Sequence, residues 1–359
     1  MISISERSLN TAGRILALSL ITITLTLVFM APSTPWAQGP ARLTRGVWYN
    51  SFEPLDYASP AVPQDLQQLK SRLCPDYIQL VAHVFQNAKT STNPHIDASR
   101  SIPDEALQRV IDEVHRLGMK ASLLITLFVD DGTWEGDIRP QNIDAWFESW
   151  AKVLLHYAEL AQKHNAEVLL LGSELETIAD YSEQWIKLIE QVRQRFSGLV
   201  SYSTNFWYER AGFEKVLNLK QWAQLDAIGI TAYFELVNKT NPSLAELEAA
   251  WRSDRHRQNI ISDLEKLNQR YGKPIQFWEI GYQSRSGTTI FPWDYRIVAP
   301  VDEIEQARAY QALLDVYQGV PWFKGYSIYT QAVRLPVNPT GYDVLGKAAE
   351  KVLSSACNK

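Results

Sequence analysis

Two glutamates in this chain sit where a barrel or sheet would place its reacting groups. Glu174 follows the run Val168-Leu-Leu-Leu171-Gly-Ser, and Glu279 lies in Pro274-Ile-Gln-Phe-Trp-Glu-Ile-Gly-Tyr282. A short unbroken apolar run between long helical patterns reads as a parallel strand buried on both faces. Acids at the carboxyl ends of such strands occupy the end where α/β folds keep their chemistry. Two carboxyl groups about 5–5.5 Å apart suit cleavage of a glycosidic bond with retention, one protonating the leaving oxygen and the other attacking the anomeric carbon. Glu176 shares the parity of Glu174 and competes with it for the acid role. Glu174 is preferred because it comes first after Gly172, where the pleat still aims inward.

The residues leaving the other strands fill out this picture. They are Asn50, His83, Asp130 with Trp134, Asn205 with Trp207, Tyr233, and Tyr329 with Gln331. His83, Trp134, Asn205, Trp207, Tyr233 and Tyr329 are the candidates for holding a substrate. Each has a plainer alternative: a satisfied structural histidine, a packed ring, or, for Asp130 and Asp131, a turn. The chain carries 12 Trp and 16 Tyr, and the tryptophans in loop patterns (Trp134, Trp207 and Trp293) suggest a cleft with flat apolar walls. Sugar rings stack on such walls.

Other chemistries find no support in the residue pattern. There is no Gly-x-Ser-x-Gly, no phosphate-cradling glycine loop and no His-Glu-x-x-His. The histidines at 83, 95, 115, 156, 164 and 256 lack metal-ligand spacing, so neither a metal nor another cofactor is expected. A net charge of −5 without a basic run argues against nucleic acid as a partner. The expected partner is a carbohydrate, met by a monomer.

The elements that must position these residues alternate regularly. Strand patterns cover 45–50, 77–85, 120–128, 168–173, 199–204, 225–233, 275–280 and 323–329. Helical patterns lie between them, at 63–73, from the capping-box-like Ser101-Ile-Pro-Asp104 to Gly118, 142–164, 181–196, 243–271, 302–318 and 345–353. Eight strands alternating with helices in a chain of 359 residues predict an α/β fold, a single-domain (β/α)8 barrel over residues 38–359. Residues 1–37 read as a signal peptide. Arg7 and Arg14 precede an apolar stretch at 15–30, and small residues surround Ala37. The chain is therefore expected to be exported, periplasmic or secreted, with an uncleaved membrane anchor at 15–30 as the alternative. Cys74 ends the first helix and Cys357 follows the last. Both should lie on the barrel face opposite the chemistry, where a disulfide could close the seam.

With these residues placed, the chain resembles the clan A glycoside hydrolases, and within them family 113. Leu171-Gly-Ser-Glu-Leu175 is similar to the acid/base strand end, and Trp278-Glu-Ile-Gly-Tyr282 to the nucleophile strand end. Asp226-Ala-Ile-Gly-Ile-Thr-Ala-Tyr233 resembles the strand whose tyrosine holds the nucleophile. The resemblance implies a retaining β-mannanase on a single-domain barrel, with Glu174 as acid/base, Glu279 as nucleophile and Tyr233 supporting Glu279. Two positions depart from the clan: Ser173 stands where Asn is usual before the acid/base, and Tyr329 where Trp is usual at the eighth strand end. The resemblance thus points first to β-1,4-mannan as substrate. A catalytically inactive barrel that binds carbohydrate or cell-envelope glycan is the alternative, and it would have no use for both glutamates.

Overall fold

The computed structural model describes residues 42–355 and residue 357. The expected signal peptide or anchor at 1–37 lies outside the described residues. In chain order the described elements are β1 (Thr44–Asn50), α1 (Val62–Leu73), β2 (Tyr77–Gln86), α2 (Asp104–Arg116), β3 (Lys120–Val129), α3 (Ile143–Lys163), β4 (Val168–Ser173), α4 (Glu176–Ala179) and α5 (Ser182–Arg193). They continue with β5 (Leu199–Asn205), α6 (Arg210–Leu217), β6 (Ala227–Thr231), α7 (Leu244–Ala250), α8 (Ile260–Tyr271), β7 (Ile275–Ile280), α9 (Glu303–Tyr317), β8 (Phe323–Ala332) and α10 (Ala348–Ser354). The strands close in sequence order into one parallel barrel, β1 pairing with both β2 and β8. This is the (β/α)8 barrel that the alternation of patterns predicts.

Burial explains why the strand patterns were readable. Strands enclosed by helices have apolar neighbours on both faces, and β4 and β6 accordingly bury nearly every residue. The helices bury one stripe each, and α3 sets Trp146 and Trp150 in a stacked pair at 5.3 Å. Inside the barrel, the indole of Trp278 lies across Gly229, where an added Cβ would come within 2.3 Å of the ring. Its N–H donates to Ser201 Oγ at 2.8 Å, which satisfies a buried donor. Gly229 is therefore required by close approach, since the same Cβ would also lie 2.2 Å from the backbone carbonyl oxygen of Tyr202.

Four local readings differ from the sequence-based expectation. The Ser101 capping box does not form. Pro103 is the N-cap of α2 and makes no side-chain bond, while the Ser101 hydroxyl donates instead to His83 O at 2.7 Å. The helical pattern at 243–271 breaks into α7 and α8, with an intervening turn in which Asp254 Oδ1 accepts from the His256 and Gln258 amides. Strand β6 stops at Thr231, so Tyr233 stands beyond it rather than inside it. The short helices α4 and α6 have too few turns to show a period in the sequence.

Cys74 and Cys357 are joined by a disulfide, with Cα atoms 5.5 Å apart and a sequence separation of 283. Cys74 is the C-cap of α1, and beside the bridge Arg72 binds Glu350 with two N–H···O bonds of 2.6 and 2.5 Å. Together these fasten α10 to α1 on the face away from the site. Replacing both cysteines by serine should cost about 2–4 kcal/mol, the usual worth of a bridge closing a long loop. Calorimetry without reductant should then show a melting temperature lower by several degrees. An unchanged transition would show that the bridge adds nothing to the fold.

Candidate active site

At the carboxyl end of β4 the backbone leaves regular strand geometry before it delivers Glu174. The pairing of β4 with β5 shifts register between Leu170 and Ser173, Gly172 has φ 150°, and Glu174 itself has φ 55°. A left-handed glutamate costs on the order of 1–2 kcal/mol and persists only where its surroundings hold it. Here the Glu174 amide donates to Ser203 O at 2.9 Å, and its carbonyl accepts from Glu176 N at 2.8 Å. Glu174 thus faces the site because of a local twist. The pleat expected to aim the first acid after Gly172 inward has ended by Glu174, and the left-handed turn supplies that aim instead. Glu176 begins α4, half-buried, and is bonded by the Asn205 side chain.

The carboxyl of Glu174 has a designated donor. Trp134, 38% exposed in the loop after β3, donates its indole N–H to Glu174 Oε2 at 3.2 Å. The ring folds back over Gly136, where a Cβ would lie 2.3 Å from it, so only glycine admits this placement. Ser173 turns its hydroxyl to Thr231 Oγ1 at 3.1 Å, and Thr231 also meets Ser203 Oγ at 2.9 Å. The serine at this position is therefore tied into a hydroxyl chain between β4, β5 and β6.

Glu279 projects from β7 into a ring of phenols. The Tyr233 hydroxyl donates to Glu279 Oε1 at 2.7 Å. Tyr342 meets Tyr233 edge-on at 6.2 Å and Tyr329 at 5.3 Å, and Trp48 closes on Tyr329 at 5.2 Å. Beneath them lies Gly281, whose added Cβ would sit 2.9 Å from Tyr342 Cδ1 and 3.1 Å from Tyr329 O. The glycine of the Trp-Glu-Ile-Gly motif is what lets this aromatic layer come down onto the strand that carries Glu279.

The surroundings of the two carboxyl groups shift both upward. Burial and then the Glu279 charge push the Glu174 carboxyl well above the usual carboxylate range. Burial also raises Glu279, but the Tyr233 phenol opposes it, so the charge is held more readily on Glu279. Burial pushes the Tyr233 phenol itself far up, which keeps it a donor at every working pH. Both shifts run upward, to about 8 for Glu279 and further for Glu174, so Glu174 is the more readily protonated of the two.

A third carboxyl enters the same field. Glu135, half-buried in the 3-10 turn after Trp134, is pushed up to about 7 by burial, and its charge raises both Glu174 and Glu279. Nothing in the strand-end reading singled it out, because it follows β3 by several residues; its adjacency to Trp134 was the available signal. Glu135→Gln removes a like charge, so both carboxyls should ionise at lower pH. The whole bell of activity against pH should then slide toward acid, its alkaline limb included. An unmoved pH profile in this variant would show Glu135 to be a bystander.

The remaining sequence candidates are distributed unevenly. His83 is buried, with Nδ1 at 2.7 Å from Thr126 Oγ1 and Nε2 at 2.7 Å from Ser51 O. Burial lowers its pKa, so the imidazole is neutral with both ring nitrogens already engaged by protein. Trp207 is 3% exposed and packs on Phe213 and Phe234 at 5.2 and 5.0 Å. That ring belongs to the core and offers no cleft wall. Asn205 turns Oδ1 back to the Phe206 amide at 2.9 Å and otherwise serves Glu176. Tyr329, Tyr233, Trp134 and the two glutamates are the sequence candidates that gather around one space. Trp48 and Tyr342 join them without having been anticipated, Tyr342 because the stretch after β8 has no motif.

A closed parallel barrel with half-buried glutamates at the carboxyl ends of β4 and β7, each bonded by an aromatic donor, defines the glycoside hydrolase class of site. The chain belongs to Glycoside Hydrolase Family 113, whose family model matches residues 48–341. Among solved structures it is similar to a family 113 β-1,4-mannanase determined as a complex, at 24% identity and TM-score 0.76, covering 88% of this chain and 99% of that one. It is equally similar to the family 113 β-mannanase AaManA from Alicyclobacillus acidocaldarius, at 24% identity and TM-score 0.76, covering 88% and 97%. A family 5 mannosidase from Rhizomucor miehei shares the barrel more loosely, at 12% identity and TM-score 0.56 over 89% and 93%. No curated relative matches the chain. These structural likenesses speak to the fold; membership of the family makes the protein a glycoside hydrolase with a carbohydrate substrate.

Proposed function

We propose that the protein is a retaining β-mannanase that cleaves β-1,4-mannan or its oligosaccharides, with Glu174 as acid/base and Glu279 as nucleophile. The observation that carries the reading is the asymmetry between the two carboxyls. Glu279 accepts a 2.7 Å bond from a phenol whose pKa burial pushes far up, while Glu174 lies in the field of three other carboxyl groups, Glu279, Glu135 and Glu176. In the first step the Glu279 carboxylate attacks the anomeric carbon as Glu174 gives its proton to the bridging oxygen. The carbon–oxygen bond to the leaving sugar breaks and an ester to Glu279 forms. In the second step Glu174, now a carboxylate, takes a proton from water. The water oxygen displaces Glu279 and restores its charge, so the sugar keeps its configuration. Trp134 supports the carboxylate form of Glu174 between the steps, and Tyr329 lies along the wall beside Glu279. Mannan is favoured by family membership and by the solved mannanases of the same fold.

The proposed place of action is outside the cytoplasm, as an exported monomer. The Cys74–Cys357 bridge supports this, since such bonds persist in oxidising compartments. The deciding experiment offers the purified protein β-1,4-linked manno-, gluco- and xylo-oligosaccharides and follows products and their anomeric configuration by NMR. Mannosyl products released first as the β-anomer are the expected result. Initial release of the α-anomer would remove the double-displacement mechanism. Binding without turnover of any of them would make the protein a carbohydrate-binding barrel.

A further inference from the structure

We infer that Trp293 is a fixed sugar-stacking platform on the leaving-group side of the cleft, oriented by Glu235. The inference rests on the mannanase reading and deepens it, by giving the enzyme a preference for chains that extend past the cleaved bond.

Trp293 is 37% exposed, and its indole N–H donates to Glu235 Oε1 at 2.9 Å. Glu235 is itself only 4% exposed, and its other oxygen lies 2.8 Å from His256 Nε2 and 3.3 Å from Arg255 Nη1. A carboxylate taken out of water is costly unless it is paired and bonded on both oxygens. Here that burden is accepted at a position whose most exposed beneficiary is an aromatic ring. With the N–H edge held inward, the outward part of the indole is its apolar face and far edge, the surface on which a pyranose stacks.

The backbone that carries the ring is equally constrained. Arg285, 1% exposed, donates to Phe291 O at 3.0 Å and Asp294 O at 3.4 Å, bracketing the tryptophan. Between those points the Tyr342 hydroxyl donates to Pro292 O at 2.5 Å. Because Tyr342 also packs against Tyr233 and Tyr329, Trp293 begins one residue from the aromatic layer around Glu279. Arg255 adds a bond to Ile290 O at 3.0 Å and covers the Phe291 ring at 4.6 Å. A surface ring held from so many sides loses little freedom on binding, which is how preorganisation yields affinity.

The side of the cleft follows from Tyr208. This exposed ring meets His256 edge-on at 5.7 Å and follows β5, the strand that pairs with β4, which leads to Glu174, and with β6, which leads to Glu235. It therefore stands between the platform's anchor and the acid/base. The general acid must face the bridging oxygen, so groups reached by passing Glu174 border the departing sugars.

Steady-state kinetics on β-1,4-manno-oligosaccharides of two to six units test the inference. For the longer members Trp293→Ala is expected to raise KM about tenfold with kcat changed far less, the worth of one stacking contact. Trp293→Phe, which keeps a ring, should recover much of the loss. Glu235→Gln keeps an acceptor for the indole and should hold the wild-type chain-length profile, whereas Glu235→Ala should lose it. Should Glu235→Ala fold poorly, the surface substitutions at Trp293 still decide the matter. A chain-length profile in Trp293→Ala that matches wild type overturns the platform. An equal KM rise on aryl manno-oligosides, whose sugars all lie on the other side of the cleaved bond, overturns the side assigned. A wild-type enzyme that cleaves none of the oligosaccharides is a failure of the mannanase reading, and this inference falls with it.

Discussion

Glu279→Ala should abolish turnover of every glycoside, whereas Glu174→Ala should fail only where the leaving group needs a proton. The nucleophile forms the covalent bond whatever departs, so its loss should lower kcat by more than about 10⁴-fold, beyond what acid–base assistance alone contributes. The general acid matters in proportion to the basicity of the leaving oxygen. Against mannan, Glu174→Ala should fall by about 10²–10⁴-fold. Against an aryl mannoside with an acidic phenol, formation of the glycosyl ester should be largely spared. Water then waits for a base that is gone, so the ester should accumulate, visible as a burst of phenol. Azide, which needs no base, should speed turnover and give the β-mannosyl azide. In Glu279→Ala, azide can only replace the missing carboxylate and should give the α-product. Glu176→Ala is the control, because Glu176 sits at the start of α4 with Asn205 as its partner. If Glu176→Ala shows the burst and azide response while Glu174→Ala does not, the acid has been assigned to the wrong carboxyl. Wild-type rates on mannan for both Glu174→Ala and Glu279→Ala would end the glycosidase mechanism altogether.

Tyr233→Phe should cut kcat by roughly ten- to a hundredfold, which corresponds to the about 1.5–3 kcal/mol of a hydrogen bond to a charged acceptor. The 2.7 Å bond from the phenol to Glu279 Oε1 is the motive. The same bond opposes the rise in the Glu279 pKa that burial causes. Its loss should therefore raise that pKa and leave the nucleophile protonated over more of the acid range. The sign is definite: the acid limb of the pH profile moves to higher pH, and the window of activity narrows from below. Folding should be nearly unaffected, since the ring that packs against Tyr342 and over Gly281 remains. A variant with wild-type kcat and an unmoved acid limb would make Tyr233 a packing residue only.

Much of this molecule could be read without coordinates, for a definite reason. A parallel barrel surrounded by helices imposes burial on both faces of every strand, and that constraint writes short apolar runs at regular intervals. The order of the strands, and hence the end at which Glu174 and Glu279 emerge, follows from the alternation alone. The disulfide likewise follows from helix direction, because Cys74 and Cys357 end helices that run to the same face. Even the phenol beside Glu279 was accessible, since β6 neighbours β7.

What the tertiary structure decided are the features set by backbone twist and by contacts between distant loops. Glu174 faces the site through a left-handed φ of 55°, a property that no alternation of residue types encodes. Trp207 looked like a cleft wall and is core, because a loop tryptophan has no period to reveal which way it turns. His83 carries both polar nitrogens of its ring toward Ser51 and Thr126, partners 32 and 43 residues away. Glu135 acquires its influence on Glu174 and Glu279 only because the β3 loop brings its neighbour Trp134 onto the Glu174 carboxyl. The clamp on Trp293 draws on Glu235, Arg285 and Tyr342, from three separate stretches of chain. Strand and helix periods are imposed by local burial and so appear in sequence; the aim of a side chain leaving the last strand residue is imposed by whatever loop arrives to meet it.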